Sequence, residues 1–271
     1  SSQSPPPQKI NPPLSKEEIQ EWLDYVPVYT ITDPEGKLVY VKPEGLDDTD
    51  TTDSNIFTFY LSRTMAEVTL SQLKLKTNPK TSDVDSMDLK LSAFALGQIW
   101  FDLLMENSDS GEEFRLVAND QDLMGARMLL TMGPEEEEQI MNASSEEEKQ
   151  DIMDRINDES PKFKATSFGE VPVFMISQMR MNVADDDGQQ KAMIPMYLNN
   201  EDMIKSWQGF MAAQPASAPL EPSISLMELH EIVGMMGKAC AFDFRNVMLM
   251  PPIVTKEDDP VNTTFGQGVR L

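Results

Sequence analysis

The sequence predicts an α+β fold made of internally duplicated hairpin-plus-helix units, with a mixed sheet and pseudo-two-fold symmetry. Three observations carry this expectation. VPVYTITDPEGKLVYV, from Val26 to Val41, is followed by NIFTFYLSRTMAEVTLSQLKLKTNP, ending at Pro79; VPVFMISQMRMNVADDDGQQ, from Val171, is followed by KAMIPMYLNNEDMIKSWQGFMAAQP, ending at Pro215. Both copies place a glycine turn (Gly36 or Gly188) between a Val-Pro-Val strand and a returning strand, and hairpins demand antiparallel pairs. Both then pass through a Tyr-Leu step (Tyr60-Leu61 or Tyr197-Leu198) into an amphipathic helix and a proline. A repeated supersecondary unit that cannot bury its apolar face alone pairs with its twin.

The elements follow in order. Ser15 with Glu18 three residues on forms a capping box, and Leu14 can staple to Ile19, which predicts a short helix through Trp22 to Asp24. Pro27 and Pro172 donate no ladder hydrogen bond, so each belongs at the start or edge of a strand. Asp33-Pro34-Glu35-Gly36 and Asp187-Gly188 are turn sequences. Strands over Ile56 to Leu61 and Met193 to Leu198 lead into helices starting near Ser62 and Asn199. Short strands are expected at Asp88 to Leu91 and Pro222 to Ile224, the second followed by a helix opened by a capping box over Ser225-Leu226-Met227-Glu228. Phe114 to Val117 reads as a strand before a helix capped by Asn119 or Asp120 and running through Leu130. Val247 to Met250 is its counterpart, stopped by Pro251-Pro252.

AFALGQIWFDLLM, from Ala93 to Met105, reads as a helix whose only strongly polar residues, Gln98 and Asp102, share one stripe. It belongs in the core, with Phe101 fully buried, or partly exposed in a partner-binding groove.

Composition sets the domain plan. With 271 residues, 40% of them hydrophobic, the chain can bury a sizeable core. We expect a flexible Pro-rich segment over 1–13, one duplicated domain over 14–252 (repeats at about 26–130 and 171–252) and a tail over 253–271. Between Thr131 and Ser160 lie eleven acidic residues against Lys149 and Arg155, and Glu44 to Asp53 is a smaller acidic run. Both read as solvated insertions, and replacing Gly133 to Ser160 by a linker is expected to leave folding intact.

The net charge of −24 repels phosphate backbones and anionic lipid surfaces, which argues against nucleic acid and leaves at most a peripheral membrane role. No uncharged apolar run approaches the roughly 18 residues of a membrane helix. SSQSPPPQKINPP is neither an apolar signal region nor an Arg-rich transit peptide, so any targeting segment is expected to be gone already. The single Cys240 excludes an internal disulfide framework and reads as a small core residue.

Catalytic signals are thin. His230 lies between Leu229 and Glu231 on a predicted helix and reads as a core or flank histidine, with no reactive-cysteine context around Cys240. Asp185-Asp186-Asp187-Gly188 resembles a calcium loop in composition only, since Gly188 as sixth position puts Val183 first and Ile194 twelfth. Gly266-Gln267-Gly268 sits in a polar tail and cradles no phosphate. The expectation is a non-enzymatic binding protein with no cofactor, no metal and no small-molecule substrate. Methionine points to the surface that binds. Of twenty Met, twelve lie from Met175 onward, and such unbranched, polarizable side chains either fill core gaps or make adaptable apolar surfaces. The candidate partner contacts are Met193, Met196, Tyr197, Met203 and Trp207, gathered around the second Tyr-Leu step.

VPVYTITDPEG, the Tyr-Leu step with its helix, FRLV with its capped helix, GEVPVF, AMIPMYL leading into NNEDM, and the late VMLMPP together resemble the family of the twenty-two-kilodalton component of the chloroplast inner-envelope translocon. The resemblance runs from about Leu14 to Pro252. It implies a duplicated α and β fold with apolar grooves, a location in plastids or the cyanobacterial periplasm, and a chaperone-like role in escorting proteins across or into envelope membranes. No enzymatic residues come with it. The acidic insertions, the methionine load and the tail depart from the pattern. Two functions follow from it: a soluble plastid chaperone for unfolded precursors, or a fixed peripheral subunit of a larger plastid assembly such as a thylakoid complex.

Overall fold

A computed structural model of the chain describes residues 9–40, 55–76, 88–105, 112–164, 169–184, 188–213 and 221–253. The acidic run from Glu44 to Asp53, Pro79, Asp185 to Asp187, Pro215 and the glycines of the tail lie outside them.

Helix α1 (Lys16–Asp24) starts as the sequence dictates: Ser15 Oγ accepts from the Glu18 N–H at 3.1 Å, and Glu18 Oε2 accepts from the Ser15 N–H at 2.7 Å. It buries Ile19, Trp22 and Leu23 and feeds β1 (Pro27–Thr32). β2 (Asn55–Tyr60), α2 (Arg63–Lys76), β3 (Lys90–Ala95), α3 (Leu96–Ile99) with its π-helical continuation Trp100–Leu104, β4 (Glu112–Val117) and α4 (Asp120–Thr131) follow. Then come α5 (Pro134–Asn142), α6 (Glu146–Glu159), β5 (Pro172–Ile176), β6 (Met181–Ala184), β7 (Gln190–Tyr197), α7 (Asn200–Ala212), β8 (Ile224–Glu228), α8 (Leu229–Met236), a 3₁₀ turn at Phe244–Asn246 and β9 (Val247–Met250).

The fold is α+β with mixed sheets. In the first sheet the order is β3-β1-β2-β4, with β1 antiparallel to β2 and β3, and β2 parallel to β4. In the second, β5 is antiparallel to β7 and β8, and β7 is parallel to β9, which gives the order β8-β5-β7-β9 with β6 as an additional antiparallel partner of β7. Order and strand sense therefore match, element for element. Both prolines open their strands, at the one position where a missing N–H costs no ladder bond.

Burial follows the strand period. In the first sheet Val28, Phe59, Phe94 and Leu116 face the main core, while their neighbours Tyr29, Tyr60, Ala93 and Val117 form a smaller cluster with Ala66 and Met65 of α2. In the second sheet Val173 and Phe174, like Met196 and Tyr197, all join the main core, so both faces are covered. That single core includes residues of both sheets and of α1, α3, α4, α7 and α8. At Gly97 a Cβ would lie 2.3 Å from the Gln20 backbone carbonyl, so glycine alone lets α3 approach α1 this closely.

Several sequence expectations are corrected. Ala93 to Ala95 belong to β3, paired with Pro27 to Tyr29, and the helix begins at Leu96. Phe101 is only half-buried there, packed at the edge of the core, whereas Trp100 is sealed within it. Ser225 lies inside β8 and does not cap α8; Glu228 does, accepting the Glu231 N–H at 3.0 Å. The two glycine turns also differ. Gly36 (φ 88°) returns Leu38 and Val39 against the end of β1, whereas Gly188 lies between β6 and β7.

The acidic segment is not wholly solvated. α5 buries nothing, but α6 lies against α4 and buries Ile152 and Ile156. Arg127 of α4 ties the region together, donating to Asn157 Oδ1 at 2.7 Å and to the Phe163 carbonyl at 2.6 Å. The dense acids are divided between the exposed α5 and the amphipathic α6, whose buried stripe the charge run hides.

Candidate protein-binding groove

Where α1 ends, the chain leaves a large aromatic pair beside the second sheet. Trp22 is packed, its Nε1 donating to the Val247 carbonyl at 3.2 Å, while Tyr25 at the helix C-cap is 76% exposed. Along β9 the strand period buries Val247 and Leu249 and leaves Met248 and Met250 half-buried on the alternate positions. Met193 and Lys191 of β7, Val183 and Ala184 of β6, and Pro251 complete the walls. The result is an open groove of about 450 Å³, apolar except for Lys191, whose Nζ is turned to the Arg245 carbonyl at 2.7 Å.

Polar contacts fix its walls. Arg245, in the turn before β9, donates from Nε and Nη2 to the two carboxylate oxygens of Glu18, both at 3.1 Å, and from Nη1 and Nη2 to the carbonyls of Pro12 and Pro13 at 3.2 Å. A bidentate fork of this kind sets the spacing between α1 and the strand that follows the turn. The Ser15 N–H, and after it Arg245, hold the Glu18 carboxyl below the usual carboxylate range.

The predicted contacts divide sharply. Met193 lines the groove, but Met196, Tyr197, Met203 and Trp207 are buried in the core, with Met203 fully enclosed and Trp207 stacked on Phe210 at 5.5 Å. They cannot form an open wall in this conformation, because clustering in sequence around a strand-to-helix step gives proximity and not exposure. Trp22, Tyr25, Met248 and Met250 are the groove residues that sequence reasoning missed. The alternation Val247-Met248-Leu249-Met250 was the available signal: one member of each pair must face away from the core.

Two other cavities are polar. One of about 570 Å³ lies between α5 and α6 and is lined by Glu135, Glu138, Glu148 and Asp151 with Arg155. The other, about 400 Å³, lies where the two Tyr-Leu steps meet, with Leu61, Asn119, Asp122, Leu198, Asn199 and Asp202 among its walls. Here Asp122 of α4 accepts from the Asn200 N–H at 2.8 Å and from Asn199 Nδ2, joining α4 to the start of α7. Burial, with a smaller contribution from nearby Asp202 and Glu201, pushes its carboxyl up to about 6 against these hydrogen bonds.

The groups considered for chemistry sit apart from the groove. His230 Nδ1 is 3.0 Å from Glu228 Oε1, and its ring lies 4.6 Å from that of Trp100. Glu228 is occupied as the α8 cap and also accepts the Val171 N–H at 3.3 Å. Cys240 is half-buried against the core and donates to the Phe242 carbonyl at 3.0 Å. Among the described residues no group of three or more Cys, His, Asp or Glu could hold a metal, and no helix is long and apolar enough to cross a membrane.

The chain is an α+β domain with two sheets of the same strand order, one main core and an open apolar groove. The model of the Tic22-like family matches residues 2–259, and the chain belongs to that family. Its fold is similar to two solved structures. Tic22 from Plasmodium falciparum superposes with a TM-score of 0.55 at 14% identity, covering 86% of this chain and 91% of that one. Anabaena Tic22, described under protein transport, gives a TM-score of 0.56 at 18% identity, with 90% and 94% covered. No curated protein sequence matches significantly.

Proposed function

We propose that this protein is a non-enzymatic plastid protein-binding factor, chaperone-like in protein import or membrane-protein biogenesis, and that it holds apolar segments of unfolded client polypeptides in the groove between α1, β7 and β9. The observation that carries this reading is the groove itself: Tyr25, Met193, Met248 and Met250 present apolar, adaptable side chains to solvent on a wall that the Arg245–Glu18 fork keeps in place. Membership of the Tic22-like family and a neighbour described under protein transport support the transport setting. The preferred client carries positive charge, because the whole chain has a net charge of −24 and α1 exposes Glu21 and Asp24 beside the aromatic pair. The matching strand orders of the two sheets support descent from one duplicated unit, with a pseudo-two-fold axis between the copies.

A photo-crosslinking amino acid at Tyr25 should capture an unfolded, aggregation-prone client, while the same probe at the exposed Val68 of α2 should not. Equal capture at both positions, or none at Tyr25, contradicts the reading.

A second reading, a fixed peripheral subunit of a larger plastid assembly, rests on α5. That helix buries no residue and exposes Glu135, Glu137 and Glu138 together with Met141, a charged face that nothing in the core requires. Charge-driven association of this kind weakens as salt rises, whereas apolar capture persists.

A further inference from the structure

The described methionines differ in access. Met179, Met196, Met203 and Met236 are sealed in the core, at 2% exposure or less, and Met105 and Met141 stand open on the surface. Met193, Met248 and Met250 are among the half-buried methionines, and these three line the apolar groove beside the exposed Tyr25. Their side chains share the groove's walls with apolar residues, and no polar side chain other than those of Lys191 and the aromatic rim lies among them.

We propose that Met193, Met248 and Met250 are a site of reversible oxidation that switches the groove between an apolar and a polar state. The oxidant class is a peroxide. A thioether sulfur attacks one oxygen of hydrogen peroxide, the O–O bond breaks, the sulfur loses two electrons to become the sulfoxide, and the second oxygen leaves as water. Oxidation turns a flexible apolar side chain into a polar one, and thiol-dependent sulfoxide reductases reverse it. Three such changes on the adjacent strands β7 and β9 replace an apolar lining by strong hydrogen-bond acceptors. An apolar occupant would have to cover them without supplying donors, and leaving one buried polar group unpaired costs enough to weaken binding about tenfold. The core methionines are shielded, so the fold survives while the groove changes character. Regulation of client release is the consequence, and that part rests on the client-binding reading given above.

The test uses the full chain and dilute hydrogen peroxide, with oxidation at each methionine read by peptide mass spectrometry and groove polarity read by Nile red, a neutral apolar dye. Met193, Met248 and Met250 should oxidise well before the four core methionines. Dye affinity should fall about tenfold in step with them, circular dichroism should stay unchanged, and methionine sulfoxide reductases A and B should restore binding. The triple variant M193L/M248L/M250L should bind the dye like the parent and keep binding after peroxide. Oxidation that reaches the core methionines first, or dye binding that survives full oxidation of the three, overturns the proposal. So does equal peroxide sensitivity in the triple variant. If the dye switches as expected but no unfolded client binds either form, the redox site stands and the client-binding reading fails.

Discussion

At the scale of single residues, the sharpest consequence concerns Asp122. Its carboxylate is 3% exposed, accepts hydrogen bonds from Asn199 and Asn200, and faces Asp202 and Glu201; burial, the largest cause, pushes its pKa up to about 6. A folded-state value above that of the unfolded chain means the native state holds this proton more tightly. The stabilising contribution is therefore complete below the usual carboxylate value near 4 and is lost as pH rises through about 6. Asp122→Asn keeps an acceptor for the Asn200 N–H and removes the titration. The melting temperature of the parent relative to this variant should fall between pH 4 and pH 7; a difference that is flat or rises over that range contradicts the assignment. Met203 makes the second case at this scale. Sequence reasoning placed it in a binding wall, but it is fully enclosed, so Met203→Ala should cost about 2–5 kcal/mol of stability and show in denaturant midpoints. A neutral result would mean that α7 is not seated as described.

At the scale of elements, what the sequence reveals depends on whether a local signal has one physical meaning. The cap at Ser15 and, as one of two candidates, the cap at Asn119 were legible because a side-chain oxygen just before a helix has one main use, and both accept a backbone N–H expected of a cap. The strands of VPVY, FRLV and VMLM were legible by their apolar runs and flanking turns. Ala93 to Ala95 was not: an apolar run with no clear period fits a buried strand or a buried helix, and pairing with β1, a long-range contact, decides it. Ser225 looked like a cap for the same reason, until β8 pairing with β5 claimed it. The acidic segment hid a buried stripe, because Ile152 and Ile156 are four apart and face α4 beneath a charged surface. Replacing α5 by a short Gly/Ser linker should shift the melting temperature little. Ile156→Ala should destabilise by about 2–5 kcal/mol, as for other fully buried Ile truncations. Equal effects of the two changes would show that α5 is also part of the packed structure.

At the scale of the whole molecule, two sheets with one strand order share a single core, and α1 bridges the first strand to the last, with Trp22 bonded to Val247 and Arg245 to Glu18. The groove is a product of this closure, since its walls come from residues 22 to 25 and 183 to 251. That is why its composition could be read from the methionine load but its members could not. Position along the chain said nothing about which methionines the closure would leave half-covered. The same closure gives a protein whose stability lies in the core and whose adaptable surface lies at a seam, so changes at Tyr25 and Met248 should affect binding without unfolding. The most direct measurement compares the parent with Tyr25→Glu/Met248→Glu in suppressing aggregation of an unrelated, positively charged unfolded protein, at low and high salt. The account predicts that the parent suppresses aggregation at both salt concentrations and that the double variant, with an unchanged melting temperature, does not. Failure of the parent to slow aggregation at any ratio, or full activity in the folded double variant, would contradict it.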